Sequence, residues 1–197
     1  MKKQLWLFGI LAVFFSAVAM QAQQISAAFG VGTVLAPSAA SATGNYSSQS
    51  LRGGAYPAFS GDFLFHKNFG VMGEVSWRAS QNFYQGNFPY RPLFWDFNGM
   101  YAPKIGTKAQ ADLTAGIGAE SIRFYQGFTI CNGFSCTNYV SSNHFMGHFG
   151  AGLRYYFHGG LFIRPEVHLY LIRNNFEFSS AYATRVGASL GYTFGGR

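Results

Sequence analysis

The chain has 197 residues and a formal net charge of +7, with only 11% charged residues but 19% aromatic residues. Because a soluble surface usually carries about 25–35% charged residues, this composition argues against an ordinary soluble domain. The cations form no Lys/Arg cluster, and no segment beyond the N-terminus has the ~18 consecutive apolar residues of a spanning helix, which argues against nucleic-acid binding and helical membrane spans.

The first 22 residues are predicted to be a secretory signal peptide that is removed after export. Lys2 and Lys3 precede a short apolar core, and small residues follow it, so cleavage is predicted after Ala19 or Ala22. An N-terminal membrane anchor is the alternative, but the apolar core is well short of the roughly 20 residues that a spanning helix needs. Residues 23–197 are then predicted to form a single domain.

Eight segments alternate between apolar and polar residues, as strands with two different faces do. They lie at residues 25–35, 58–66, 71–78, 95–101, 112–120, 148–157, 161–172 and 185–194. Segment 161–172 is the clearest example, since its odd-numbered residues are apolar and its even-numbered residues include Arg164, Glu166 and His168. Pro165 cannot donate a hydrogen bond to a neighbouring strand, so a bulge or a locally missing bond is expected there.

The charged residues of these segments share one parity and therefore one face. An arginine that faces lipid at the bilayer midplane costs about 2–4 kcal/mol, so the charged face is predicted to line an interior and the apolar face to meet lipid. Lipid cannot satisfy an open sheet edge, so the predicted fold is all-β: an eight-stranded antiparallel up-and-down transmembrane β-barrel. Its charged residues are predicted to form a structural network inside the barrel, and a proton or ion path is the alternative. The members of this network are Asp62, Glu74, Arg78, Asp96, Asp112, Glu120, Arg154, Arg164, Glu166 and Arg185.

The connections between the predicted strands alternate between short and long. The longer ones, rich in Ser, Asn, Gly and Tyr, are residues 37–54, 80–91, 124–142 and 173–180, and they are predicted to lie outside the cell. Aromatic residues in these loops are candidates for contact with an extracellular partner: Tyr46, Tyr84, Tyr90, Phe134 and Tyr139. Cys131 and Cys136 are predicted to form a disulfide in an exported protein, whereas two cysteines without a paired histidine motif disfavour zinc.

Histidines on the inner face are the candidates for metal ligands. His66, His148 and His168 share their parity with Glu166, and such a set could bind a metal. They are expected to lie at different heights in the barrel and to be hydrogen-bonded interior histidines, so neither a metal nor a cofactor is predicted.

Catalytic chemistry has one candidate group. Ser141, Ser142 and His144 lie near a predicted barrel rim, and a serine and a histidine could act as nucleophile and base in a barrel that modifies lipid. A serine and a histidine fall close together by chance too often to assign them, so no residue is predicted to be catalytic and the chain is predicted not to be an enzyme.

Three stretches carry a resemblance to a known family: Gly150–Tyr156, Leu161–Val167 and the last strand, Val186–Phe194. The chain resembles the small eight-stranded outer-membrane β-barrels of Gram-negative bacteria, the OmpA/OmpX-like barrels. The resemblance implies a monomer in the bacterial outer membrane, surrounded by its lipid and inserted by the barrel-insertion machinery through the last strand. Phe194 would supply the terminal aromatic residue, although three residues follow it.

The function expected from these features is structural or a surface interaction of the adhesion type, through loops that meet an unknown extracellular partner. A narrow conduit for small apolar molecules is the second possibility, and a lipid-modifying enzyme is the third. A secreted soluble barrel of the lipocalin type is the rival fold, and it would have its apolar face inside.

Overall fold

The strands of the computed structural model, which describes residues 24–36, 51–84, 87–132, 135–175, 177–178 and 181–195, form one antiparallel sheet. The predicted signal peptide, Tyr46 and Phe134 lie outside the described residues. The strands are β1 (Gln24–Leu35), β2 (Tyr56–His66), β3 (Phe69–Trp77), β4 (Asn82–Tyr84), β5 (Phe88–Tyr101), β6 (Ala109–Asn132), β7 (Ser135–His158), β8 (Leu161–Ile172) and β9 (Tyr182–Phe194).

Eight of these strands close into a ring, which confirms the predicted barrel. Each pairs with its neighbours in chain order, β1 pairs with β9, and β3 pairs directly with β5. The ninth strand, β4, lies in the predicted loop 80–91 and pairs only with the beginning of β5. Closure leaves no unpaired edge in the ring, and this is the condition for β-structure in a membrane.

The predicted loop 124–142 is wrong, because most of it continues β6 and β7. Both strands have 24 residues, and they pair up to Tyr125 and Tyr139 and, after a register shift at residues 126–129, again up to Asn132 and Ser135. The segment is rich in aromatic and β-branched residues, which favour strands whether or not lipid surrounds them. Cys131 and Cys136 are paired across the two strands and form a disulfide near the tip. We call the barrel end with this hairpin the hairpin end, and the opposite end, with the short connections, the turn end.

The outer wall of the barrel is apolar. Phe97, Ile117 and Phe29 expose 68%, 60% and 57% of their surface, and aromatic residues border the band at both ends. Those at the turn end are Phe65, Tyr101, Phe157, Tyr192 and Phe194, and those nearer the hairpin end include Trp95 and Tyr182. Such a band between two aromatic girdles fits the hydrocarbon layer of a membrane. Among the described residues, no helix is long and apolar enough to cross a membrane.

Two positions depart from the simple alternation. A register shift between Leu64 and His66 leaves Leu64 inside and His66 exposed, so the predicted inward position of His66 is wrong. An extra residue in one strand reverses the faces beyond it. At Pro165, β8 loses its pairing with β7 but keeps its register, whereas its pairing with β9 is continuous. The proline therefore causes a local gap and no bulge.

We predict that replacing both cysteines by serine loosens the tip of the hairpin and leaves the barrel intact. The disulfide closes a short loop that contributes about 2 kcal/mol by the entropy model, and this loop is remote from the interior. Chymotrypsin should then cut faster at Phe128, which is 65% exposed, while the urea midpoint of the folded barrel in detergent stays unchanged. An equal loss of barrel stability would contradict this assignment, and wild-type protein with and without reductant is the control.

Candidate functional site in the barrel interior

The interior brings together all ten charged residues that the alternation predicts. None of them exposes more than 8% of its surface: Asp62, Glu74, Arg78, Asp96, Asp112, Glu120, Arg154, Arg164, Glu166 and Arg185. Isolated ions in such a setting would cost several kcal/mol each, so the contacts among them decide whether the barrel is stable.

Arg154 is the centre of the network near the turn end. Its guanidinium donates to Asp112 at 2.5 Å and to Asp62 at 2.8 Å, and it lies 4.9 Å from the ring centre of Phe162. It also donates to Ser26 at 2.9 Å. One cation thus satisfies two carboxylates that come from different strands, which ties β2, β6 and β7 together across the interior.

The middle layer is built from two arginines and two glutamates. Nε of Arg164 donates to Oε2 of Glu166 at 2.8 Å, and Nη1 of Arg164 lies 3.4 Å from Asp112, which joins this layer to the one below. Arg185 contacts Oε1 of Glu74 and lies 3.2 Å from Oε1 of Glu166. The charge-assisted bonds therefore continue from the turn end to the centre of the barrel.

His148 and His168 lie side by side at the same level, whereas different heights were expected. Nε2 of His148 is 2.9 Å from Nδ1 of His168, and the two rings are stacked with centres 5.1 Å apart. Gly150 makes room for them, since a Cβ atom there would come within 3.1 Å of Nδ1 of His168. His168 also lies 3.7 Å from Glu166, so the predicted histidine and carboxylate do meet.

Apolar and aromatic side chains close the interior at the hairpin end. Phe94 and Tyr170 stack with ring centres 4.8 Å apart, and the buried cluster around them is Val34, Leu51, Tyr56, Tyr90, Ile122, Met146, Ile172, Phe178 and Ala183. Arg78 and Glu120 lie here, away from the main network. Glu120 accepts a hydrogen bond from Asn175 at 3.1 Å, while Arg78 is beside Tyr56 and Tyr90. Neither forms an ion pair within the described part of the chain.

The aromatic loop candidates differ in how accessible they are. Tyr90 is fully buried in the closing cluster, and burial raises the pKa of its hydroxyl. Tyr84 packs against Tyr90 and Phe178 with ring centres 6.4 Å and 5.6 Å away. Tyr139 is on the hairpin and remains half-exposed. Of the three that the structure describes, Tyr139 is the best placed to meet a partner.

A serine, a histidine and a glutamate meet at the rim, but not in the order of a catalytic triad. Nε2 of His144 is 3.1 Å from Oγ of Ser142 and 3.0 Å from Oε2 of Glu177, and Ser142 itself donates to Oε1 of Glu177 at 2.5 Å. A triad needs serine on one ring nitrogen and the acid on the other. Here Ser142 and Glu177 both contact Nε2 of His144. The carboxylate therefore accepts the hydrogen bond of the serine and does not orient the histidine from its other ring nitrogen. Glu177 lies in the connection between β8 and β9, and no sequence pattern predicted its contact with Ser142.

Comparisons with known proteins agree with the architecture. A family profile described as "Outer membrane protein beta-barrel domain" matches residues 8–194. No curated protein sequence matches the chain significantly.

Solved structures with a similar fold include Ail from Yersinia pestis, crystallised with the heparin analogue sucrose octasulfate (TM-score 0.59, 12% identity, covering 88% of this chain and 100% of that one). Neisserial surface protein A has a TM-score of 0.59 at 8% identity, and the match covers 87% of this chain and 97% of that one. OprG from Pseudomonas aeruginosa has a TM-score of 0.50 at 15% identity and covers 91% and 99%. At these identities the likeness is one of fold alone.

We predict that Arg164→Ala or Glu166→Ala destabilises the barrel without opening it. Removing one partner from a buried ion pair costs about 3–5 kcal/mol, because the other charge stays buried and unpaired. The urea midpoint in detergent should fall well below that of wild type, whereas Arg173→Ala, which removes an exposed arginine, should leave it unchanged.

Planar bilayers provide the second readout for these variants. The aromatic cluster at the hairpin end remains in place in both, so neither variant nor the wild type should give discrete current steps. Large single-channel currents from the wild-type protein would show that the interior is an open path, contrary to the packing described above.

Proposed function

The chain belongs to the family of outer-membrane β-barrel domains, and from this premise we propose that it is a filled, non-conducting barrel that binds partners at the cell surface. The hairpin end faces outward in this proposal and the turn end faces the periplasm. The outer membrane supplies the lipid that meets the apolar outer wall. The activity resides in the hairpin of β6 and β7 and in the strand beside it.

The observation that carries this proposal is the length and order of the hairpin. Beyond the row formed by Trp95, Ala119 and Phe145, β6 and β7 remain paired up to Tyr125 and Tyr139. After a register shift at residues 126–129 they pair again, as far as Asn132 and Ser135. At about 3.3 Å per residue, the hairpin reaches well past the membrane. A paired and disulfide-closed ribbon loses little conformational entropy when it binds, which favours recognition.

The charge distribution indicates an anionic partner. All acidic residues except Glu177 are in the interior, and the exposed charges on the described outer surface are cations. Arg91 and Arg123 are directly opposite each other on β5 and β6, facing outward. Like charges in this position repel, and no ion pair relieves them among the described residues. A sulfate, phosphate or carboxylate group of a partner would do so.

Two tyrosines support these arginines. The guanidinium carbon of Arg123 lies 4.9 Å from the ring centre of Tyr139, and that of Arg91 lies 5.9 Å from the ring centre of Tyr125. Cation–π contacts of this kind hold an arginine in place, and Arg91 is held further by a hydrogen bond from its Nη2 to the carbonyl oxygen of Ala79 at 3.3 Å. The arrangement fits a polymer that carries repeated negative charges. Ail binds a heparin analogue on the same fold, but the proposal rests on the charges of this chain.

The two alternative functions have less support. A conduit for small apolar molecules needs a continuous passage, whereas ion pairs fill the middle of the interior and an aromatic cluster closes one end. Lipid modification needs an activated nucleophile, and Ser142 donates its hydrogen bond to Glu177 and not to His144, so the relay of a serine–histidine–acid triad is not formed.

We predict that changing Arg91 and Arg123 together to Gln weakens binding to immobilised heparin, which serves as a probe for sulfated polymers. Two fewer contacts to a polyanion should release roughly two fewer counterions, so the variant should elute at lower salt and show a shallower salt dependence. Folded protein in detergent on a heparin column, eluted with a sodium chloride gradient, gives both quantities.

The matched control removes two cations from the turn end. Lys104 and Lys108 are both exposed, and changing them to Gln lowers the net charge equally while leaving the hairpin end intact. Equal losses in the two double variants would indicate attraction by net charge alone. Wild-type protein that passes through the column unretained would contradict the proposed anionic partner.

A further inference from the structure

We propose that Glu74, Glu166 and His168 form a binding site for one divalent transition-metal ion, of which Zn²⁺ is the representative, inside the barrel. Nε2 of His168 lies 3.8 Å from Oε2 of Glu74 and 3.7 Å from Oε1 of Glu166. The three atoms all lie within 4.8 Å of one another. This site is independent of the surface function, because it lies in the middle of the interior.

The three candidate ligand atoms are unsatisfied. Oε2 of Glu74, Oε1 of Glu166 and Nε2 of His168 are all buried and without a hydrogen-bond partner. Buried polar atoms are almost always satisfied, and three of them pointing at one space require a shared partner. A cation between them would satisfy all three at once.

The hydrogen bonds along the histidine pair all run in one direction. Nδ2 of Asn98 donates to Asp96, so the amide oxygen of Asn98 faces Nδ1 of His148 at 2.7 Å and that nitrogen carries a proton. Nε2 of His148 is then unprotonated and accepts a hydrogen bond from the N–H at Nδ1 of His168, at 2.9 Å. This leaves the lone pair of His168 on Nε2, aimed at the carboxylates. Histidine ligands of metals are usually oriented by such a bond from the other ring nitrogen.

Each glutamate is held through one carboxylate oxygen and directs the other toward His168. Arg185 binds Oε1 of Glu74 and leaves Oε2 toward His168. Oε2 of Glu166 accepts from Arg164 at 2.8 Å and from Ser189 at 3.1 Å, so Oε1 faces His168. Arg185 also approaches that Oε1 to 3.2 Å, without an aligned hydrogen bond. Hydrogen-bonded carboxylates of this kind are what the surroundings of a metal site provide.

The acidic and basic charges of the interior do not balance. The ten charged residues of the interior comprise six carboxylates and four guanidinium groups, so the described interior has two excess negative charges when all are ionised. Arg78 and Glu120 balance each other at the hairpin end. One excess negative charge lies in the layer of Arg154, Asp62 and Asp112. The other lies in the central layer of Glu74, Asp96 and Glu166 with Arg164 and Arg185, and Arg164 joins the two layers through Asp112. One divalent cation neutralises this excess. Two protons would do the same, and they are the competing explanation.

The donor set and the spacing suit zinc. Zn²⁺ binds imidazole nitrogen and carboxylate oxygen at about 2.0–2.2 Å, so its tetrahedral ligands are roughly 3.3–3.5 Å apart. The separations of 3.7 and 3.8 Å between His168 and the two oxygens need only a small closure of side chains. The two oxygens lie within 4.8 Å of each other, so they need to approach by at most about 1.5 Å. Divalent ions that accept the same nitrogen and oxygen donors would compete in the order of their general affinity. An ion here would join β3 to β8 and act as a structural centre.

The experiment uses the full barrel, folded in detergent and stripped with a chelator, then dialysed against Zn²⁺. Elemental analysis should give one bound zinc per barrel, with binding that weakens as pH falls because protons compete for the ligands. His168→Gln should weaken the affinity at least tenfold. His144→Gln, which alters another buried histidine outside the site, should bind zinc as the wild type does.

A variant that fails to fold would not leave the question open, because zinc-edge X-ray absorption of the wild type reports its ligands directly. One imidazole nitrogen and two carboxylate oxygens support the site. Folded wild-type protein that retains no zinc, or zinc held without imidazole, overturns it. ¹⁵N spectra that show His168 as an imidazolium in zinc-treated protein would assign the charge balance to protons and also overturn it.

Discussion

The structure depends on the cost of placing charge and unpaired backbone in lipid. Lipid offers no partner to either, so the sheet must close on itself and its charged side chains must point inward. An eight-stranded ring has an interior just wide enough for those side chains. Arg154, Arg164 and Arg185 then form ion pairs with acids from strands that are not their neighbours in the ring. The closure of the sheet and the ion pairing inside it therefore both follow from the barrel's being surrounded by lipid.

The inward placement of the acidic residues also determines which charges remain on the outer surface. Because nearly all the acids are used inside, the outward-facing charges at the hairpin end are left as arginines, Arg91 on β5 and Arg123 on β6. The same use of acids leaves the centre of the interior with more carboxylate than guanidinium charge. The surface function and the metal site proposed here thus arise from one uneven distribution of charge, although they are separate sites with separate tests.

Alternation alone predicted the barrel and its interior charges, because facing lipid would have cost Arg164 and Glu166 several kcal/mol. It failed at His66, where a local register shift reverses the parity. It also failed in residues 124–142, since a strand in water need not alternate between apolar and polar residues. The contact of Glu177 with Ser142 could not be read from the sequence, because it depends on how a connection folds over the rim.

The most direct test of a closed barrel in lipid is the gel mobility of the protein from isolated outer membranes, unboiled against boiled in SDS. A ring of eight paired strands around an ion-paired interior should resist the detergent until it is heated, so we expect a band that shifts on boiling. Protein that fractionates with the soluble periplasm and shows no shift would contradict the lipid-facing outer wall, and with it the account of why the charges are inside.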